Sequence, residues 1–101
     1  MALLGLIIAF TFLSFRTVQP ASIKGKVTPA WYGVHAWAIS ENDTLYTTIT
    51  DGNFEFYNAE PGVYRIIIEA RSPYRHLQKD GIVVNDGEAI NIGELSLQKW
   101  E

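Results

Sequence analysis

After a continuous apolar run at Ala2–Phe15, the chain alternates between hydrophobic and polar positions with a period of two over most of its remaining length. That period places successive side chains on opposite faces of an extended strand, so the pattern predicts β-structure. Ser22–Thr28 (SIKGKVT) sets Ile23, Gly25 and Val27 against Lys24 and Lys26, which predicts a first strand with its lysines outward. Val34–Ser40 (VHAWAIS) predicts a second. Both of its parities carry apolar residues, so the pattern leaves open whether Trp37 with Ile39 or Ala36 with Ala38 faces the core. Thr44–Thr50 and Asn53–Tyr57 follow, with Phe54 and Phe56 on one face of the latter and Glu55 on the other. Tyr64, Ile66, Ile68 and Ala70 recur at a spacing of two, with Arg65 and Glu69 between them, as expected of a half-buried fifth strand. Gly81–Val84 is a short sixth. In the last strand, Glu88–Leu97, the inner parity shifts from Ile90 and Ile92 to Leu95 and Leu97, which predicts a bulge at Gly93.

The punctuation between these runs is turn chemistry. Asp51-Gly52 and Asn85-Asp86-Gly87 tolerate the positive φ angles of tight hairpins, so each predicts a hairpin joining its flanking strands. Glu60-Pro61-Gly62 combines a fixed φ at proline with a free one at glycine, and Glu41-Asn42-Asp43 is a polar turn. Seven short strands with turns at this spacing predict an all-β fold, a seven-stranded antiparallel Greek-key β-sandwich. Phe54, Phe56, Tyr64 and at least one tryptophan are expected in its core, because each aromatic ring buries on the order of 150–250 Å².

The apolar run changes the domain picture. Fourteen residues rise about 21 Å as a helix, short of the roughly 30 Å hydrocarbon core of a bilayer. The run therefore predicts a secretory signal peptide or an uncleaved N-terminal anchor over residues 1–21, with Arg16–Ala21 as its polar end. Residues 22–101 form the domain, which is expected to be exported: periplasmic, at the cell surface or secreted. Membrane contact, if the leader is retained, is expected through residues 1–21 alone.

Composition excludes several function classes. The net charge is −3, and one arginine lies in the first 21 residues, leaving the remainder at −4. An acidic domain without a basic cluster does not suit nucleic acid. Cysteine is absent, which removes disulfides, thiolate metal sites and thiol nucleophiles. His35 and His76 do not form a metal-ligand motif and read as surface or loop residues. No nucleophile elbow is present, so no catalytic residue, cofactor or metal is expected. The acidic and amide residues of the loops could serve calcium, but hairpin turns require the same residues. Aromatic side chains in loops are the stronger lead. Trp31 and Tyr32 follow Pro29, and Tyr74 follows Pro73. Exposed rings stack on sugars or anchor protein partners with little loss of entropy. The competing expectation is that Trp31 or Tyr32 folds back to plug the sandwich end.

The chain resembles the carboxypeptidase regulatory-like domains of the transthyretin-like (prealbumin-like) sandwich group. The resemblance rests on IKGKV at Ile23–Val27, Asp43-Thr44, TDGNFEF at Thr50–Phe56, EPGVYRIIIEA at Glu60–Ala70, and the GIVVNDG and IGELSL segments. It implies a non-catalytic accessory module of the bacterial cell envelope that recognises a protein or a glycan through surface loops. An alternative is a carbohydrate-binding unit supporting a separate enzyme. Some similar bacterial sandwich domains form a Lys–Asn isopeptide bond promoted by a buried Glu. Here strand parity puts Lys24, Lys26, Glu55 and Asn91 outside, which disfavours that chemistry.

Overall fold

The computed structural model describes residues 19–100. The leader expected over residues 1–21 therefore lies outside the described residues except for Gln19, Pro20 and Ala21. Seven strands build two sheets: β1 (Ala21–Thr28), β2 (Gly33–Ile39), β3 (Thr44–Thr48), β4 (Asn53–Ala59), β5 (Gly62–Ala70), β6 (Leu77–Val84) and β7 (Ala89–Ser96). One sheet has the order β4-β1-β7 and the other β3-β2-β5-β6. β1 begins one residue ahead of the expected domain boundary, and Ala21 is buried and paired with Ala59.

The expected antiparallel arrangement holds at every strand pair but one. β1 and β7 run parallel, with Ile23 opposite Ile90 and Val27 opposite Leu95. The first and last strands thus pair, β1 at the centre of its sheet and β7 at its edge, a pairing that no local turn could announce. Two of the predicted hairpins do not form: β3 does not pair with β4, nor β6 with β7. Asp51-Gly52 does form a tight turn, with Thr50 and Asn53 exchanging both backbone hydrogen bonds at 2.9 Å and φ positive at both central residues. The strands it joins then part, β3 pairing with β2 and β4 with β1. Asn85–Gly87 likewise carries the chain from β6 in one sheet to β7 in the other. The reason is burial: Phe54 and Phe56 need the apolar face of β1 beside them and the opposite sheet above them. A simple β3–β4 ribbon would leave one face of these rings in water.

The sequence pattern is otherwise followed closely. Ile23 and Val27 of β1, Phe54 and Phe56 of β4, Tyr64, Ile66 and Ile68 of β5, and Leu95 and Leu97 at the chain's end are all buried. Of β2 it is Ala36 and Ala38 that face the core, so no tryptophan enters it, contrary to expectation. Small residues in the middle of this sheet leave space for the Phe and Tyr rings, whose volume the core must hold. Phe54 crosses the backbone of Gly25 so closely that a Cβ there would lie 2.6 Å from its ring. The Gly93 bulge is present, with φ +81 and a register shift against β1. β6 starts earlier than expected, at Leu77, and carries a second bulge at Gly81, where φ is +75. A third irregularity at Asn58, φ +59, shifts β4 against β1. Lys24 lies between Glu55 and Asn91 in register, on the outer face of its sheet as expected, so it lacks the desolvation an isopeptide reaction needs.

The end of the sandwich that holds the β2–β3 turn is tied by Tyr64. Its ring is 1% exposed, and its hydroxyl lies 2.9 Å from Asp43 Oδ2 and 2.7 Å from the Glu60 carbonyl. The Glu60 N–H donates to the same Asp43 oxygen at 3.2 Å. This matches the tyrosine-corner arrangement of Greek-key sandwiches. Burial, reinforced by the bond to Asp43, pushes the Tyr64 phenol up to about 12.

Two predictions follow from this packing. In Gly52→Ala, the new Cβ would sit 2.6 Å from the Val27 carbonyl at φ +80. The variant is expected to lose roughly 2 kcal/mol or more, about 10 °C in Tm by calorimetry. Tyr64→Phe is expected to lose about 1–2 kcal/mol in urea unfolding at pH 7. The phenol loses its proton near 10 when unfolded and near 12 when folded, so the folded state holds more protons between these values. Wild-type stability should therefore fall as pH rises from 10 to 12, and the Phe variant should fall less over the same interval.

Candidate binding surfaces

Trp31, Tyr32 and Tyr74 come together at the end of the sandwich opposite the Tyr64 tie. Pro29 stops β1, and the chain turns through a short 3₁₀ segment, Ala30–Tyr32, closed by the Tyr32 N–H donating to the Pro29 carbonyl at 3.1 Å. Tyr32 folds onto the core and meets the Tyr74 ring at 4.6 Å between centroids, tilted by 48°. Tyr74 is held by the bond from its N–H to the Arg71 carbonyl, and Lys99 sits 5.7 Å from its ring centre. Tyr32 thus folds back against the core, as one of the two expectations had it, and Tyr74, expected as a binding aromatic, packs beside it. Trp31 does not fold back; it is 70% exposed. Its position is nevertheless fixed. The Arg71 Nε–H donates to the Trp31 carbonyl at 3.0 Å, and the guanidinium lies 4.5 Å from the indole centroid. Trp31 and Arg71 border a groove of about 410 Å³ that also takes in Ala30, Gly33, Ile49, Thr50 and Asp51.

A second surface was not anticipated. The outer face of the β3-β2-β5-β6 sheet carries side chains in register rows: Thr48, His35 and Glu69; Tyr46, Trp37, Ile67 and Gln78; Thr44, Ile39 and Arg65; Val63 and Val83. Trp37 donates its indole N–H to Glu69 at 2.6 Å, and His35 Nδ1 lies 3.4 Å from the other carboxylate oxygen. The Tyr46 ring packs on both, 4.6 Å from Trp37 and 5.2 Å from His35. The Trp37 hydrogen bond, aided by His35, holds the Glu69 carboxyl below its usual range, so it stays ionised and fixes the indole. Around this cluster Tyr46 is 51%, Val63 60% and Val83 57% exposed, and an Arg65–Asp80 ion pair at 2.9 Å borders the patch. The outer face of the other sheet is different, with Lys24, Lys26, Glu55, Asn91 and Ser96 outward and one exposed ring, Tyr57, whose hydroxyl donates to Glu55 at 3.0 Å.

Scattered apolar residues on a surface need no explanation, whereas a contiguous row of them does. The signal was present in the sequence as the unresolved parity of Val34–Ser40, and again in Ile66-Ile67-Ile68 and Ile82-Val83-Val84, where both faces read as apolar. An antiparallel sheet with one solvated face ordinarily alternates. Among the described residues no three His, Cys, Asp or Glu side chains are grouped to hold a metal ion.

No protein-family model matches the chain, and no curated protein does either. Among solved structures it is similar to chains of two interface mutants of the type II cohesin–X-dockerin complex from Acetivibrio cellulolyticus. The C-terminal interface mutant gives a TM-score of 0.56 and the N-terminal one 0.53, each at 12% identity over 78% of this chain. The match spans 58% of the length of those chains. At that identity the likeness establishes the fold, an all-β sandwich of two sheets.

Proposed function

We propose that this chain is a non-catalytic binding module, of the carboxypeptidase regulatory-like kind, that acts outside the cytoplasm by holding a protein partner against the outer face of its four-stranded sheet. The observation that carries the reading is the asymmetry between the two outer faces. One is polar and charged apart from a single ring, Tyr57, which is hydrogen bonded to Glu55. The other presents Tyr46, Trp37, Ile39, Ile67, Val63 and Val83 on rigid strands, with one fixed carboxylate at Glu69. Aromatic anchors on a pre-ordered surface give binding energy at little entropic cost, and Trp and Tyr dominate such contacts. The apolar leader supports an exported location, and the similar solved structures are chains from protein–protein complexes.

The test is site-specific photocrosslinking in the producing cells, followed by binding measurements on the purified pair. A crosslinker at Tyr46 or Val83 is expected to give an adduct with one distinct protein, and a crosslinker at Lys26 on the opposite face none. That protein should bind Trp37→Ala or Tyr46→Glu at least about tenfold more weakly than wild type. Adducts of equal yield at Lys26, or none at either apolar position, overturn the proposal. An adduct with a second copy of the chain would reassign the face to self-association.

A further inference from the structure

We infer that the groove beside Trp31 is a second, separate site that takes a neutral pyranose ring of an oligosaccharide. The inference does not depend on the protein-binding face, because the two surfaces share no residue. Three observations carry it.

The first is the state of Trp31. A large indole left 70% exposed is ordinarily mobile, yet the backbone of Trp31 is held where its carbonyl accepts from Arg71 Nε, and its ring is held by the guanidinium at 4.5 Å. The remaining indole surface is a pre-ordered apolar plate, and the negative face of an aromatic ring attracts the C–H groups along one side of a sugar.

The second is the polar content of the groove. Asp51 supplies a carboxylate, and the only hydrogen bond it makes among the described residues is through its backbone carbonyl, which accepts from Asn53. Arg71 contributes terminal amino groups beyond the Nε already bonded to Trp31. Thr50 adds a hydroxyl at the margin. One acceptor, one donor and one group that is both match vicinal sugar hydroxyls, each of which donates and accepts. The opposed charges of Asp51 and Arg71 cancel, which favours an uncharged ligand over a uronate or a phosphosugar.

The third is shape and rigidity. The groove of about 410 Å³ lies within the roughly 300–1,000 Å³ typical of small-ligand sites. Its floor is Gly33 and the buried Ile49, where a side chain at Gly33 would meet Val27 and Ile49 at 3.1 and 3.2 Å. Asp51 is locked by the tight turn, at φ +51 with Gly52 seated against Val27. The platform, the acceptor and the donor therefore sit on three different segments, each fixed by its own backbone bonds.

The probes are neutral hexasaccharides of β-1,4-linked glucose, β-1,4-linked mannose and β-1,4-linked N-acetylglucosamine, titrated by calorimetry and by saturation-transfer NMR. At least one is expected to bind with Kd tighter than about 5 mM. Binding should weaken at least tenfold in Trp31→Ala and several-fold in Asp51→Asn, and remain unchanged in Trp37→Ala. Both Trp31 and Asp51 are exposed, so these variants should unfold within a few degrees of wild type, which calorimetry checks directly. Absence of binding to all three sugars overturns the inference. So does binding that survives Trp31→Ala, or preferential binding of hexagalacturonate. Failure here leaves the sheet-face proposal untouched, since loss of the protein partner would be read in Trp37→Ala and not in Trp31→Ala.

Discussion

The hydroxyl of Tyr64 is the point on which one end of the molecule depends. It emerges from a buried ring at the start of β5 and meets Asp43, at the close of the β2–β3 turn, and the Glu60 carbonyl, at the crossing from β4. Asp43 in turn accepts from the Glu60 N–H, so one carboxylate serves both the phenol and a backbone donor. The turn at Asp43 is thereby held to the Glu60–Tyr64 stretch, 17 to 21 residues further along the chain. A small domain without a disulfide has few ways to do this. The single phenolic proton has two acceptors within reach, so the ring can sit in the core without an orphaned donor at its tip.

Much of this architecture was legible in the residues. The alternation named each strand, and Gly93 announced its bulge through a change of parity. Asp51-Gly52 adopts the tight turn its chemistry requires. What turn chemistry cannot specify is the sheet into which the departing strand goes. The backbone reversal at Asp51-Gly52 is local, whereas the choice of β1 as partner for β4 follows from the need to cover Phe54 and Phe56 on both sides. The parallel pairing of β1 with β7 is further from reach still, because it joins the two ends of the domain and leaves no short-range trace.

The candidate surfaces divide along the same line. Trp31, Tyr32 and Tyr74 could be singled out because loops carrying adjacent aromatics are conspicuous, and the fold does gather them at one end. Their division of labour was not readable, since it depends on Arg71 reaching back across forty residues to hold Trp31 outward. The sheet face of Trp37 and Tyr46 was hidden by a symmetric difficulty. A strand apolar on both parities looks the same whether it is buried on two sides or offers one side to a partner. Only the absence of a covering layer among the described residues distinguishes the two.

Among the described residues both sheets end in unpaired edges, and the interruptions described for three of them bear on how the protein behaves in a crowded medium. β6 is broken at Gly81, β7 at Gly93 and β4 at Asn58, each by a residue with positive φ. The fourth edge, β3, is only five residues long. A neighbouring strand could therefore add to any of them over a short stretch at most before its hydrogen-bond register failed. A domain that displays aromatic and aliphatic side chains on a flat sheet is at risk of fibril growth, and these kinks separate stickiness of the face from polymerisation at the edge.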